Sequence, residues 1–423
     1  MFVKVENLEL KLGGKKVFSN ITFEVEEGEV WLLTGKNGSG KTSLLKILAG
    51  IIPWITKGEV KGEISIDGVN PLENPDELAY KLRMLHPDPQ QFLLAPTPYD
   101  DIGFSLSILG IQNVKERVLG IAGKLGLGKI LYSPVLELSS GQQQKTAIAS
   151  TIAPGVKCLL LDEPLSHLDR YEKDNLLRIL GGMKEEGYCA IIATHYPEEF
   201  SSLKDGLIEL TKQNGSSTPC NISRPEPSDT IVLEAENLSY TYPNGRRVLN
   251  DISLTVRKGE ILVIYGRNGS GKTTLLRILA GILKPKTGFI RSSGRPSLLP
   301  PDPIKVFTMP TLNKELRNRK LPNFLLESFD LAGLTDKPLS HLSTGELKKA
   351  ALAVLFAYGS NIVLLDEPES GLDPESRCML AQYLSILAGR GVSMVIATHD
   401  SKFGELIASR EAFLEGGGLE IVN

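Results

Sequence analysis

Gly35-Lys36-Asn37-Gly38-Ser39-Gly40-Lys41-Thr42 decides the reading of this chain, and the chain writes it again as Gly266-Arg267-Asn268-Gly269-Ser270-Gly271-Lys272-Thr273. Each copy follows a short apolar run, 30–34 and 261–265, and precedes a helix-periodic stretch that opens at Ser43 and at Thr274. Each therefore reads as strand, glycine loop, helix. Glycines at this spacing let successive backbone N–H groups turn inward around a phosphate, and the loop ends at a helix N-terminus, where the dipole favours an anion. Lys41 and Lys272 then reach the β/γ-phosphates, while Thr42 and Thr273 place a hydroxyl on Mg²⁺. Two such loops in register predict ATP binding twice.

Composition leaves that reading room. The 423 residues are 41% hydrophobic and 23% charged, which is ordinary globular usage and enough for two or three domains. A net charge of −3 gives no general polyanion footprint, so nucleic acid is not expected as a partner. Cys158, Cys189, Cys220 and Cys378 lie far apart with no C-x-x-C pair, which suggests neither a disulfide framework nor a zinc site. The N-terminus alternates like a strand and lacks the apolar centre of a signal peptide. No apolar run approaches the roughly twenty residues needed to cross a bilayer. A cytoplasmic protein is expected, and any membrane role falls to a separate subunit.

Comparison of the chain with itself shows a tandem duplication. VFSNITFEVEEGEVWLLTGKNGSGKTSLLKILAGI pairs with VLNDISLTVRKGEILVIYGRNGSGKTTLLRILAGI at a constant offset, and the pairing resumes from LSSGQ and LSTGE onward at a smaller one. The second half has lost residues between these blocks. A Ser-, Thr-, Pro- and Asn-rich stretch, TKQNGSSTPCNISRPEPSDT, separates the halves. The expected organisation is a first domain over 1–212, a linker over 213–229 and a second domain over 230–423. Continuous apolar runs such as CLLL, AIIA, IVLL and MVIA suit parallel strands buried on both faces, and each half opens with alternating, antiparallel-type strands. The fold class is α/β, with two P-loop domains in tandem.

Two of those apolar runs end in paired carboxylates, Asp162-Glu163-Pro164 and Asp366-Glu367-Pro368. A strand running into the site puts the first carboxylate beside Mg²⁺, and the second can polarise the water that attacks the γ-phosphate. LSSGQ, with Ser139 and Gly141, and LSTGE, with Ser343 and Gly345, precede helical stretches upstream of those carboxylates. A serine and a glycine N–H at a helix start serve either as an ordinary N-cap or as a second anion site.

With the SHLD and SGLD segments and with His195 and His399 in ATHY and ATHD, these motifs resemble the ATP-binding cassette family over nearly the whole chain. The resemblance implies an antiparallel β edge and a helical signature subdomain in each half. It implies that two cassettes pair within the molecule, head to tail, so that each ATP lies between one half's loop and the other's signature. Site one then uses Lys41, Thr42, Asp162, Glu163 and His195 with Ser343 and Gly345 in trans. Site two uses Lys272, Thr273, Asp366, Glu367 and His399 with Ser139 and Gly141. The histidines' implied role is contact with the γ-phosphate. Where the family carries a glutamine that touches Mg²⁺, His86 and Pro300 stand here, with Gln90 or Gln91 as possible substitutes in the first half only. The adenine-stacking aromatic is Tyr242 in the second half, whereas the first offers Leu12.

Within the family, PDPQQFLLAPTPYDDIGFSLSILGI, 87–111, looks most like the ATPases of energy-coupling-factor importers of vitamins and metal ions. That resemblance implies transmembrane partner subunits, including a substrate-binding membrane component, and a peripheral place on the inner face of the cell membrane. The rivals are a soluble twin-cassette ATPase acting on ribosomes and a slow nucleotide sensor. The iron–sulfur ribosomal type needs a cysteine-rich N-terminal module that this sequence does not show, and a DNA-repair cassette needs a coiled-coil insertion for which neither half has room.

Overall fold

The chain is described from a computed structural model over residues 2–422, apart from 37, 167, 211–219, 221, 225, 244, 317–328, 330 and 343; the side chains of 90, 91 and 344 also fall outside the description. Asn37 and Ser343, two of the expected site residues, and most of the expected linker therefore lie outside the described residues. The chain divides into two compact units, Met1–Ser216 and Ser217–Asn423.

In the first unit, β1 (Val3–Leu12), β2 (Lys15–Val25) and β4 (Glu59–Ile66) form a three-stranded sheet in the order β2-β1-β4, all antiparallel. A five-stranded parallel sheet carries the rest of the core. It is built from β3 (Val30–Gly35), β5 (Leu82–Leu85), β6 (Cys158–Asp162), β7 (Cys189–Ala193) and β8 (Gly206–Leu210), in the order β5-β6-β7-β3-β8. The continuous apolar runs are explained by burial on both faces. Cys158 and Leu160 of β6 point into one core, while Leu159 and Leu161 point into the other. At about 1.5–3 kcal/mol for each buried Leu or Ile side chain, a charge on either face of β6 or β7 is not tolerated.

The second unit repeats the plan. The strands β9 (Ile231–Thr241), β10 (Arg247–Arg257) and β12 (Thr287–Ser292) form the antiparallel edge, in the order β10-β9-β12. Its larger sheet has the order β13-β14-β15-β11-β16-β17, from β11 (Ile261–Tyr265), β13 (Ser297–Leu299), β14 (Ile362–Asp366), β15 (Ser393–Thr398), β16 (Arg410–Glu415) and β17 (Gly418–Val422). Only the β16–β17 pair of this sheet is antiparallel. In each unit the phosphate-loop strand and the carboxylate strand are separated by one strand, the one that ends just before the histidine. All three strands end at the same sheet edge, where ligands of parallel sheets bind.

The cysteines correct the sequence reading. Cys220 and Cys378 are joined in a disulfide across 158 residues of chain, while Cys158 and Cys189 are free, buried and opposite each other on β6 and β7. Spacing could not reveal the bridge, because only folding lays Cys220, within the expected linker, on the helix Pro374–Gly389. Ser385 donates to the Ser223 carbonyl, and Ile222 packs on the core there.

Candidate active sites

Each phosphate loop turns into its helix through a glycine in the left-handed region, Gly40 at φ 99° and Gly271 at φ 109°. A Cβ at either place would lie 2.7 Å from a valine methyl group, Val17 or Val248, so glycine is required both by conformation and by space. Inside the loops the lysines curl back over the cradle. Lys41 Nζ donates to the Gly35 carbonyl at 2.8 Å, and Lys272 Nζ to the Gly266 and Arg267 carbonyls at 2.5 and 3.1 Å. Both lysines are buried, as is Ser39, while Thr42 and Ser43 at the start of the helix are half-buried. Gly35, Gly38 and Gly269 complete the turns with positive φ, and Gly266 lies against the Ser270 hydroxyl. Ser43 and Thr274 occupy the first turns of Lys41–Leu48 and Lys272–Leu279, and Asn268 sits in the second loop.

The carboxylates arrive where the sequence puts them. Asp162 is paired in register with Ala193 and is hydrogen-bonded to the Thr42 hydroxyl; Asp366 is paired with Ala397 and bonded to the Thr273 hydroxyl. The next residue in each case, Glu163 or Glu367, holds φ at 49°, a conformation that non-glycine residues rarely adopt. Its N–H is fixed to the Ala193 or Ala397 carbonyl, at 3.0 and 2.8 Å. The same strained backbone at matched positions in two units points to a functional constraint. His195 Nε2 stands 3.5 Å from Glu163 Oε1, and Lys41 Nζ is 3.3 Å from the same ring nitrogen. In the second unit His399 Nδ1 is closer to its carboxylate, 3.2 Å from Glu367 Oε1.

Burial sets the protonation of these groups. It pushes Glu163 up to about 8, with the charge of Asp162 adding to the shift and Lys41 opposing it. Burial likewise raises Asp366 to about 7, against the pull of the Thr273 hydroxyl. Asp162 is raised by burial, while Thr42, Lys41 and His86 hold it down. Such groups are at home beside a divalent cation, which would stabilise their charged forms. The donor set fits Mg²⁺ with ATP: Asp162 Oδ2 and the hydroxyls of Ser39 and Ser270 are buried without a hydrogen-bond partner among the described residues.

The remaining expected residues divide. His86 follows β5, where Leu85 pairs with Leu161, so it stands level with Asp162; Pro300 follows β13 at the same level beside Asp366. Tyr242 lies beside its phosphate loop, with its hydroxyl 2.9 Å from Thr274 Oγ1 and its ring edge-on to Tyr240. Leu12 packs against the first unit's core. Ser139 caps Ser140–Ile152 in a capping box with Gln142, so the N-cap reading of that motif holds, with Gly141 buried in the first turn. Gly345 begins Thr344–Ala357, where an added Cβ would meet Leu372 at 3.5 Å. Sequence reasoning missed Lys348 and Glu369, both buried beside Glu367. Aligning the two halves would have found them, since Gln144 and Leu165 stand at the same places in the first.

A family model described as "ABC transporter" matches residues 18–166 and 249–370, together well over half of the chain. A protein of Treponema denticola described provisionally as an ABC transporter ATP-binding protein is 26% identical, over 96% of this chain and 93% of that one. YkoD of Bacillus subtilis, described provisionally as an HMP/thiamine import ATP-binding protein, is also 26% identical, over 96% and 88%. Among solved structures, a model of ribosome-bound archaeal Pelota and ABCE1 contains a chain of similar fold, with a TM-score of 0.74 at 23% identity over 99% of this chain and 78% of that one. The RNase-L inhibitor matches with a TM-score of 0.66 at 22% identity, over 98% and 89%. Two nucleotide loops, two strained carboxylates and two matches to one family model lead to the same conclusion: the chain belongs to the ABC transporter ATPase family, as an ATP-hydrolysing protein with two cassettes.

Proposed function

We propose that this twin-cassette ATPase closes on two ATP molecules and uses that closure to drive a membrane importer of the energy-coupling-factor type. In this reading Lys41 and Lys272 hold the β/γ-phosphates, and Glu163 and Glu367 each accept a proton from the attacking water. His195 and His399 contact the γ-phosphate, and Ser139 with Gly141 and Ser343 with Gly345 each complete the opposite cassette's site. Thr42 with Asp162, and Thr273 with Asp366, would hold Mg²⁺, which when bound neutralises charge on the phosphate oxygens.

The observation that carries the importer reading is a groove of about 320 Å³ in the first unit, lined by Leu78, Leu82, Arg83, Met84, Phe92 and Ser105. Its wall is mostly apolar, yet Nε and Nη2 of Arg83 are buried there with no partner among the described residues. An apolar segment bearing a carbonyl or carboxylate end fits such a groove. β5 forms part of the wall and is followed by His86, level with Asp162, so an occupant would touch the strand that leads to site one. The provisional import description of the Bacillus subtilis relative agrees with this reading.

A second reading, an ATPase acting on ribosomes, is favoured by architecture. Two-cassette chains that match along almost the whole length occur in ribosome-bound and ribosome-recycling proteins. Among the described residues no helix is long and apolar enough to cross a membrane, so either partner must come from another chain. Fractionation of native cells decides between them. Recovery in detergent extracts of membranes with an integral membrane protein, lost on Arg83→Glu, is the expected outcome. Nucleotide-dependent sedimentation with ribosomes overturns the importer reading and supports the second.

A further inference from the structure

Glu369 is 1% exposed and lies two positions beyond the catalytic Glu367, where the first cassette has the apolar Leu165. Thr398, the residue before His399, donates its hydroxyl to Glu369 Oε1, and the other oxygen, Oε2, has no partner among the described residues. Lys348, 3% exposed and within reach of the charge of Glu369, donates to the Ser370 carbonyl and approaches the Glu367 carbonyl at 3.5 Å. Glu369 thus holds the residue before His399, and Lys348 holds the backbone that carries Glu367. The first cassette instead buries Gln144, whose amide donates to the Pro164 carbonyl at 3.3 Å; the threonine hydroxyls of both cassettes accept from the N–H two residues on, and what the first cassette lacks is a carboxylate at Leu165 for Thr194 to donate to. Its histidine sits farther from the carboxylate and is shared with Lys41.

Two buried opposite charges that could be a glutamine and a leucine are costly to keep, which argues for a role other than stability. We propose that Glu369 and Lys348 form a buried latch that holds His399 on Glu367 in the second cassette and slows hydrolysis there. The inference rests on the assignment of Glu367 and His399 to the second ATP site. While His399 donates to Glu367, neither is free: the histidine must leave the carboxylate to meet the γ-phosphate, and the carboxylate must lose the histidine to take a proton from water. Burial alone would lower the pKa of His399, but the hydrogen bond and charge of Glu367, with Glu369 behind it, leave it raised, which favours the paired imidazolium. Glu369 and Lys348 are positioning residues, since they act through the pair.

The test uses the full chain carrying Glu163→Gln, so that single-turnover phosphate release reports the second site. Glu369→Leu with Lys348→Gln recreates the pair that the first cassette already folds with. Release is expected to rise about threefold to tenfold, corresponding to about 0.7–1.4 kcal/mol of barrier. A gain of rate is not what damage to the fold produces. Glu369→Gln keeps an acceptor for Thr398 while removing the charge; it should give a smaller rise in the same direction and serves if the double variant does not melt cooperatively. Unchanged or slower release in the folded variants overturns the latch. His399→Ala in the same background separates the two failures. If it slows release while the Glu369 variants do nothing, the latch alone is wrong, and if it changes nothing, the assignment of the site falls with the latch.

Discussion

A lysine ammonium bonded to loop carbonyls is poised to exchange them for phosphate oxygens, as Lys41 is on Gly35 and Lys272 on Gly266 and Arg267. A hydrogen bond to a charged group contributes about 1.5–3 kcal/mol, so Lys41→Ala and Lys272→Ala should each weaken ATP binding at one site by about 10- to 150-fold. Equilibrium titration with a fluorescent ATP analogue checks this, and the double variant should show no two-site binding. The carboxylates give a pH dependence whose sign follows from their raised pKa values. Glu163 at about 8 and Asp366 at about 7 bind protons in the folded, nucleotide-free protein that the unfolded chain has already released. The stability they contribute is therefore present at low pH and falls as pH rises from about 4 toward 8. Thermal melts across that range should have a shallower slope for Glu163→Gln, and calorimetry near pH 7 should detect protons released when Mg²⁺ and ATP bind. The two sites should also differ in rate. His86 stands level with Asp162, whereas Pro300, at the matching place, has no polar side chain to offer, and His399 is held closer to its carboxylate than His195 is. Glu163→Gln should accordingly abolish most steady-state phosphate release, while Glu367→Gln should leave a larger share.

At the scale of elements, the strand–loop–helix unit depends on one residue without a side chain. An alanine at Gly40 or Gly271 needs a left-handed backbone and displaces a valine methyl 2.7 Å away, a strain of about 1–3 kcal/mol placed directly in the cradle. Gly40→Ala and Gly271→Ala should each lose nucleotide binding at their own loop while the far-ultraviolet circular dichroism is kept. The buried strands and the Ser139 cap were legible from sequence because their causes are local: the continuous apolar runs of β6 and β7, and a serine just ahead of a helical stretch. The N-cap and anion-site readings of LSSGQ could not be separated in the sequence, because one serine oxygen at a helix start satisfies both. The Ser139 hydroxyl accepts from the Gln142 N–H.

For the whole molecule, the proposed pairing of two cassettes carried by one chain would make closure an intramolecular event, set by effective concentration rather than by protein concentration. Glu163→Gln with Glu367→Gln should trap ATP, since the phosphates are still bound while water is no longer activated. Small-angle scattering with ATP is expected to show compaction at constant mass. A doubling of mass would mean that cassettes pair between molecules.

The sequence by itself determined the duplication, the two phosphate loops, the carboxylate pairs and the family. Each of these is written in contiguous residues whose backbone preferences and periodicity do not depend on distant partners. Only the tertiary structure decided what lies across strands. Sheet order placed β7 between β3 and β6, which brought His195 to Glu163 and Lys41, and register set His86 level with Asp162. Docking of residues 220 and 222–224 on the helix Pro374–Gly389 and its neighbours joined Cys220 to Cys378 across 158 residues. Tertiary packing brought Lys348 to the Glu367 carbonyl and the Thr398 hydroxyl to Glu369. These contacts, and the raised pKa values of Glu163 and Asp366, arise from burial against segments far away in the chain, which no local pattern encodes.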